Sequence, residues 1–440
     1  MPAHGSDWGA VAMAVYRMKL CRFDPTGYNI NMQALPKELI HRIIGFVPAT
    51  FLSDPSSTMT NIHRLRGVCH LWRDIVLTTP TLFSNLHVDF KTRPEFVKDW
   101  LLRSGQKDLT LYFSVGCGGE SELSSYLFML DLLDDLAPCI PRCKKLFFHA
   151  SSAFSAHLLF AFLKQLNAGS VPLMHFVADD DDILHLPQIF TAGISSVKHI
   201  VAERCALGVL PSSLTSLELV DMEASLELTA TQLRDALSNA LSLQHLVVHG
   251  VSIQDDVGPR VLLPSLTALE ISASKSEEVH ILKVIELPEL EQLVLQLDEI
   301  EISQLVFKII SHGSKVKRLA LAIMTSSPGR MRSFFKTVPQ LEWLDVSGSD
   351  AQMETTLNAL LLSYPDLFQS IQRVEFGEEL ADGLLASMFH ALAARSPSVK
   401  LVSPVSDVVN DHRDLQCMFL RGGAVVTEHK KVVNGDIWED

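Results

Sequence analysis

Three stretches of the chain hold residue types that could do chemistry. Cys139-Ile-Pro-Arg-Cys143 with His149 offers two thiols and an imidazole, a ligand set suited to zinc. No second pair stands at finger spacing, and Pro141 suits a turn between elements, so no metal is expected there. Asp179-Asp-Asp-Asp182 could hold a cation or a basic partner segment. No glycine and closing glutamate follow it as a calcium loop requires, and a solvated turn is the competing reading. Gly116-Cys-Gly-Gly119 lacks the lysine of a phosphate loop and the third glycine of a dinucleotide fingerprint. Gly-x-Ser-x-Gly, His-Glu-x-x-His and the kinase signatures are missing. The 17 histidines are scattered. No catalytic, cofactor-binding or metal-ligating residue is assigned, and the chain is expected not to be an enzyme. A triad assembled in space stays open as an alternative.

The elements that would position any site follow from composition and pattern. The 440 residues are 47% hydrophobic and 20% charged, enough for a large core across two or three domains or one repeat array. A net charge of -14 repels phosphate backbones, so nucleic acid is not an expected partner. No apolar run reaches the roughly 18 residues of a membrane span, and no membrane partner is expected. Residues 1–32 read as a flexible leader without a convincing signal peptide, and 403–440 as a tail with at most an edge strand at 424–426. Seven cysteines at this length argue for a reducing compartment.

From about 105 to 402 the chain repeats itself. The pattern apolar-x-x-apolar-x-apolar recurs at Leu214, Leu243, Leu266, Leu290, Val316, Leu341 and Ile371, at spacings of 29, 23, 24, 26, 25 and 30 residues. Weaker copies begin at Cys143, Leu173 and Val197. Leucines four apart between the seeds, as in Thr229–Leu241, Ile302–Ile310, Leu357–Leu361 and Leu384–Phe389, predict a helix after each strand. Pro172, Pro211, Pro264, Pro288, Pro339 and Pro397 stand just before seeds, where they end a helix. The fold class is therefore α/β, and the shared period favours a stacked solenoid over a conventional α/β sheet.

Residues 33–90 read as a helical block. Pro36 starts a helix whose stripe is Leu35, Leu39, Ile40, Ile43, Ile44 and Val47. After a loop from Pro48 to about Thr60, a second helix carries Ile62, Leu65, Val68, Cys69, Trp72, Ile75 and Val76. Cys69 is expected to be buried and inert. So much apolar surface on about 55 residues should dock onto something.

The repeats resemble leucine-rich repeats, whose period is roughly 20–29 residues. The resemblance departs where Asn or Cys is usual after the strand; this chain has Met222, Val251, Ser274, Asp298, Met324 and Ser349. Leu35-Pro-x-Glu-Leu-Ile40, then Val68-Cys-x-x-Trp-Arg73, then Thr79-Pro-x-Leu-Phe83, resembles the F-box. It is most similar to fungal F-box proteins with irregular leucine-rich repeats behind the motif. It departs at His70, where Arg is usual, and at Phe83, where Trp is common. The resemblance implies an N-terminal F-box followed by a leucine-rich-repeat solenoid, strands concave and helices convex. It also implies a substrate receptor of a Skp–cullin–F-box ubiquitin ligase, cytoplasmic or nuclear, without cofactor. Leu35, Pro36, Leu39, Ile40, Ile43, Val68, Cys69 and Trp72 would contact the Skp adaptor. The alternative is that these side chains cap the repeat array, with the repeats serving as a scaffold outside any ligase.

Side chains alternating with the seed leucines should line the concave face and meet a protein substrate. They are Glu218, His245, Glu270, Gln292, Arg318, Trp343, Asp345, Arg373 and Glu375. Trp343 is the foremost candidate, because an outward tryptophan beside charges suits a binding surface. Cover by a loop or the tail is the alternative for it.

Overall fold

The computed structural model describes residues 36–45, 55–89, 91–115, 131–132, 134–150, 173–178, 184–185, 197–220, 228–254, 258–273, 280–297, 315–323, 328–346, 351–375 and 400–402. The chain divides into two compact units, residues 1–174 and 175–440.

Unit 1 opens with helices α1 (Lys37–Gly45), α2 (Pro55–Arg66) and α3 (His70–Leu77). Both α1 and α2 pack against α3. Ile40, Ile44, Ile62, Leu65, Trp72, Ile75 and Val76 are buried, each by at least nineteen-twentieths. Two sequence expectations are corrected here. The stretch read as a loop to about Thr60 is helical from Pro55, because proline at the first helical position loses no hydrogen bond. The single second helix is two. Gly67 turns the chain, its N–H and that of Val68 donating to the carbonyls of Arg64 and Leu65. Cys69 then stands extended as the residue before α3.

A 3-10 turn (Pro80–Phe83) leads into β1 (Asn85–Asp89), α4 (Pro94–Ser104), β2 (Leu109–Val115) and β3 (Cys143–Ala150). The three strands are parallel, with Leu86 opposite Leu111 and Leu111 opposite Leu146. Among the described residues the ladder thus begins at Asn85, inside the stretch read as a helical block. α2 packs on β1, and the His87 N–H donates to the Met59 sulfur at 3.1 Å. Trp100 on α4 is 1% exposed. Its indole N–H donates to the Asn85 carbonyl at 3.0 Å, and its ring lies edge-on to Phe83 at 4.9 Å. Strand β4 (Leu173–Ala178) stands at the division between the units.

Unit 2 is a parallel ladder of β5 (His199–Glu203), β6 (Ser216–Val220), β7 (His245–His249), β8 (Ala268–Ala273), β9 (Gln292–Leu297), β10 (Arg318–Ile323), β11 (Trp343–Asp345), β12 (Arg373–Glu375) and β13 (Lys400–Val402). Each strand pairs with the next in chain order. A doubly wound sheet reverses its strand order at a switch point. Unbroken chain order is instead the mark of stacked repeats of leucine-rich-repeat type.

The seed apolar positions form continuous buried rows. Ile200, Leu217, Leu246, Leu269, Leu293, Leu319, Leu344 and Val374 lie side by side in register, none more than 2% exposed. Burying each leucine contributes roughly 1.5–3 kcal/mol. At the foot of each strand one carbonyl accepts two N–H groups from the next strand. Thr215 takes those of Gln244 and His245, Gln244 those of Thr267 and Ala268, and Thr267 those of Glu291 and Gln292. This backbone rung holds the register without side-chain amides. At the one described position of the missing Asn/Cys, Val251 is fully buried.

Helix α5 (Ala230–Leu237) starts at a capping box in which Thr229 and Gln232 satisfy each other's backbone N–H. Helix α6 (Ile281–Val284), α7 (Pro328–Phe335) and α8 (Ala351–Ser363) follow later strands. α7 and α8 pack together, burying Phe334, Phe335, Leu357 and Leu360. Pro211, Pro264, Pro288 and Pro339 all sit in the short connections before strands. Pro339 follows helix α7, but Pro211, Pro264 and Pro288 follow the two-residue strands Cys205–Ala206, Val261–Leu262 and Ile285–Glu286, so the expectation that each ends a helix is corrected for these three. Pro172, Pro397, the helices read at 302–310 and 384–389, Met222, Ser274, Asp298, Met324 and Ser349 lie outside the described residues.

Candidate functional site

Two surfaces and one thiol cluster carry the residues singled out by sequence. On the helical block, helix geometry separates neighbours. Ile40 and Ile44, four apart, turn inward, while Pro36 and Leu39 stay outside, Leu39 at 46% exposure. Val68 and Cys69 are half-buried, so the expectation of a buried Cys69 is corrected: the turn at Gly67 keeps it near the surface. Ile40 and Trp72 are 0% exposed and belong to the core of unit 1. Contact of these two with a partner is therefore replaced by an inward packing role. The Trp72 indole N–H has no acceptor among the described residues. Leu35 and the Ile43 side chain lie outside the described residues. What remains for a partner is a small apolar patch of Pro36 and Leu39, with Val68 and Cys69 on the neighbouring turn.

The second surface is the half-exposed face of the unit 2 ladder. Its register builds rows that sequence spacing alone did not assemble. One row runs His199, Ser216, His245, Ala268, Gln292, Arg318, Trp343, Arg373. Two residues along each strand, a second row holds Glu218, Val247, Glu270, Val294, Ala320, Asp345 and Glu375. Trp343 is half-buried between two guanidiniums, Arg318 at 5.5 Å and Arg373 at 5.6 Å from its ring centre. The tail, the other cover considered for it, lies outside the described residues. Neighbouring-strand arginines flank the ring, attracted by its π-face. Its indole N–H is buried and has no acceptor among the described residues.

Arg373 is also tied to Glu375, at 2.5 Å, and Glu375 is 8% exposed. Burial pushes the Glu270 carboxyl above its ordinary range, opposed by His249, whose ring nitrogen lies 3.8 Å away. His249 was missed by the sequence reading, although it continues the period-2 face of Val247. Burial lowers the imidazoles of His199 and His245 below their ordinary value, and so favours their neutral forms.

The thiol cluster is committed elsewhere. Cys143 is buried, its thiol pushed up to about 12 by burial, and its S–H donates to the Lys145 carbonyl at 3.4 Å. Cys139 accepts from the Arg142 guanidinium at 3.3 Å. Because only thiolate reacts, Cys143 of the native chain is expected to resist iodoacetamide at pH 8 and to label at least a hundredfold faster once denatured. Mass spectrometry of the Cys143 peptide checks this, and native labelling at the denatured rate would contradict the buried placement. Asp179–Asp182 and Gly116–Gly119 lie outside the described residues.

No family model matches the chain, and no curated protein matches it. A solved protein of Bacteroides fragilis shares 17% identity over 63% of this chain and 70% of its own, with a TM-score of 0.35. A chain of the yeast Rad7 and Elc1 complex shares 10% identity over 91% of this chain and 94% of its own, with a TM-score of 0.32. At these scores neither neighbour bears on what the chain does, and the fold stands on its own strand order.

Proposed function

We propose that the chain is a non-enzymatic substrate-recognition adaptor of a Skp–cullin–F-box ubiquitin ligase. Its helical block would bind the Skp adaptor and its repeat ladder would hold a protein substrate. The observation that carries this reading is Leu39. It is a large apolar side chain left 46% exposed on a helix that buries Ile40 and Ile44, and it lies within the Leu-Pro-x-Glu-Leu-Ile motif. Together with the exposed Pro36 it offers apolar surface that a partner would cover. Catalysis would lie in the partners, and tethering would raise the concentration of substrate lysines near the charged ubiquitin carrier. The cytosol or nucleus would be the compartment, which suits the free thiols of Cys69, Cys139, Cys143 and Cys205.

Co-purification with the Skp adaptor tests the reading. Leu39→Asp places a charge at an exposed site, so the melting temperature should hold within a degree or two. Adaptor binding should fall at least thirtyfold, as for an interface hot spot. One observation favours the second reading, a repeat scaffold outside any ligase: α2 covers β1, as a cap would. Failure of the folded wild-type chain to bind the adaptor, or full binding by Leu39→Asp, would select that reading.

A further inference from the structure

The charged groups on the open face of unit 2 are largely satisfied within the chain. Arg373 pairs with Glu375, His249 with Glu270, and Glu203 with Arg204. Asp345 is engaged as well. Two charges of the described face are not. Arg318 is exposed, and its one resolved interaction is with the Trp343 ring, which leaves its planar fork of N–H donors available. Glu218 is half-exposed and has no cation in ion-pairing reach among the described residues.

These two groups stand on β6 and β10 of the same ladder. Four inter-strand steps separate them, roughly 19 Å at about 4.8 Å each. The tract between is small in side-chain volume: Val247, Val294 and Ala320, with the imidazole of His245 and the amide of Gln292 beside them. Its one carboxyl, Glu270, is the group that burial disfavours as an anion. An unpaired cation and an unpaired anion therefore bracket a stretch of the face whose centre is Val247, Val294 and Ala320.

We infer that this face reads a dipolar segment of a partner protein, one with an acidic side chain for Arg318, a basic side chain for Glu218 and apolar residues between. The inference rests on reading the ladder as the recognition domain. The acidic residue is taken by the Arg318 fork in a charge-assisted, bidentate contact beside the indole. The apolar residues fill the tract over Val294 and Ala320. The basic residue reaches Glu218. Charge complementarity sets the polarity, because a reversed segment would face two like charges. In an extended segment the opposite charges stand about six residues apart.

The test selects displayed random 16-residue peptides on the full-length chain. Enriched peptides should share an acidic and a basic residue about six apart with apolar residues between. Arg318→Glu should weaken them at least tenfold, and replacing their acidic residue by lysine should restore binding. Glu218→Lys should give the reciprocal exchange at the basic position. A merely structural role for either residue would not produce such a swap. Absence of enriched peptides, enrichment without the charge pair, or unchanged affinity in Arg318→Glu would overturn the inference. Adaptor co-purification of the same variants should match the wild type. Loss of adaptor binding by the wild type with an intact charge swap would remove the ligase reading and leave this one standing.

Discussion

Trp72→Ala is expected to cost about 3–5 kcal/mol and to melt the helical block, the range for truncating a fully buried tryptophan. The side chain is 0% exposed, within a core that includes Ile40, Ile44, Ile62, Ile75 and Val76. Removing it leaves a cavity that three short helices cannot close. Trp72→Phe should cost far less than the alanine variant. The aromatic bulk is largely kept, and the indole N–H has no acceptor among the described residues to lose. Far-ultraviolet circular dichroism with denaturant titration measures both. A surface anchor for a partner would behave otherwise: the alanine variant would keep its stability and lose only binding.

The second large effect sets two neighbouring positions against each other. Leu293→Asp should destabilise unit 2 by more than about 4 kcal/mol, because it buries an unpaired carboxylate. Gln292→Asp should change stability by no more than about 0.5 kcal/mol. Leu293 is 2% exposed between Leu269 and Leu319, whereas Gln292 is half-exposed between Ala268 and Arg318. Adjacent residues of a strand face opposite ways, so the same substitution meets a core or a solvated face. Thermal unfolding of the two variants side by side reads the difference. Equal loss in both would mean that the register of β9 is wrong.

The repeat ladder was legible because one pattern of buried positions recurs at every rung from Val197 to Val374. β1 was legible too, since Phe83-Ser-Asn-Leu86-His-Val88 has the same pattern, but its overlap with the helical motif hid it. β2 was harder. Asp108 occupies the first seed position, and the strand compensates with Leu109, which is 1% exposed. The break between α2 and α3 escaped the sequence reading because Ile62, Leu65, Trp72 and Ile75 keep helical spacing across Gly67. Periodicity reports which side chains are buried and not whether the backbone between them turns.

The candidate face was legible residue by residue but not as a site. Arg318, Trp343 and Arg373 each precede a seed leucine, valine or its equivalent, so their outward orientation follows from alternation. Their meeting depends on strand register, which a single repeat does not encode. The contact role read for Ile40 fails for a related reason, and of the two readings open for Trp72 the inward one fits its burial. A hydrophobic stripe marks a surface that must be covered, and the cover turned out to be this chain's own helices.

The seat of α2 on β1 has a bearing on how copies of this chain behave toward one another. A parallel ladder of this kind has two ends, each a strand with one row of backbone groups unmet by a further strand. At the β1 end, the Met59 sulfur receives the His87 N–H and the helix occupies the place where another strand would stack. An uncovered end of that kind is a template for strands of a second molecule, and addition there leaves a new end of the same sort. By seating α2 on β1, the helical block of unit 1 would oppose addition of a second molecule's strand at that edge, whatever else those helices bind.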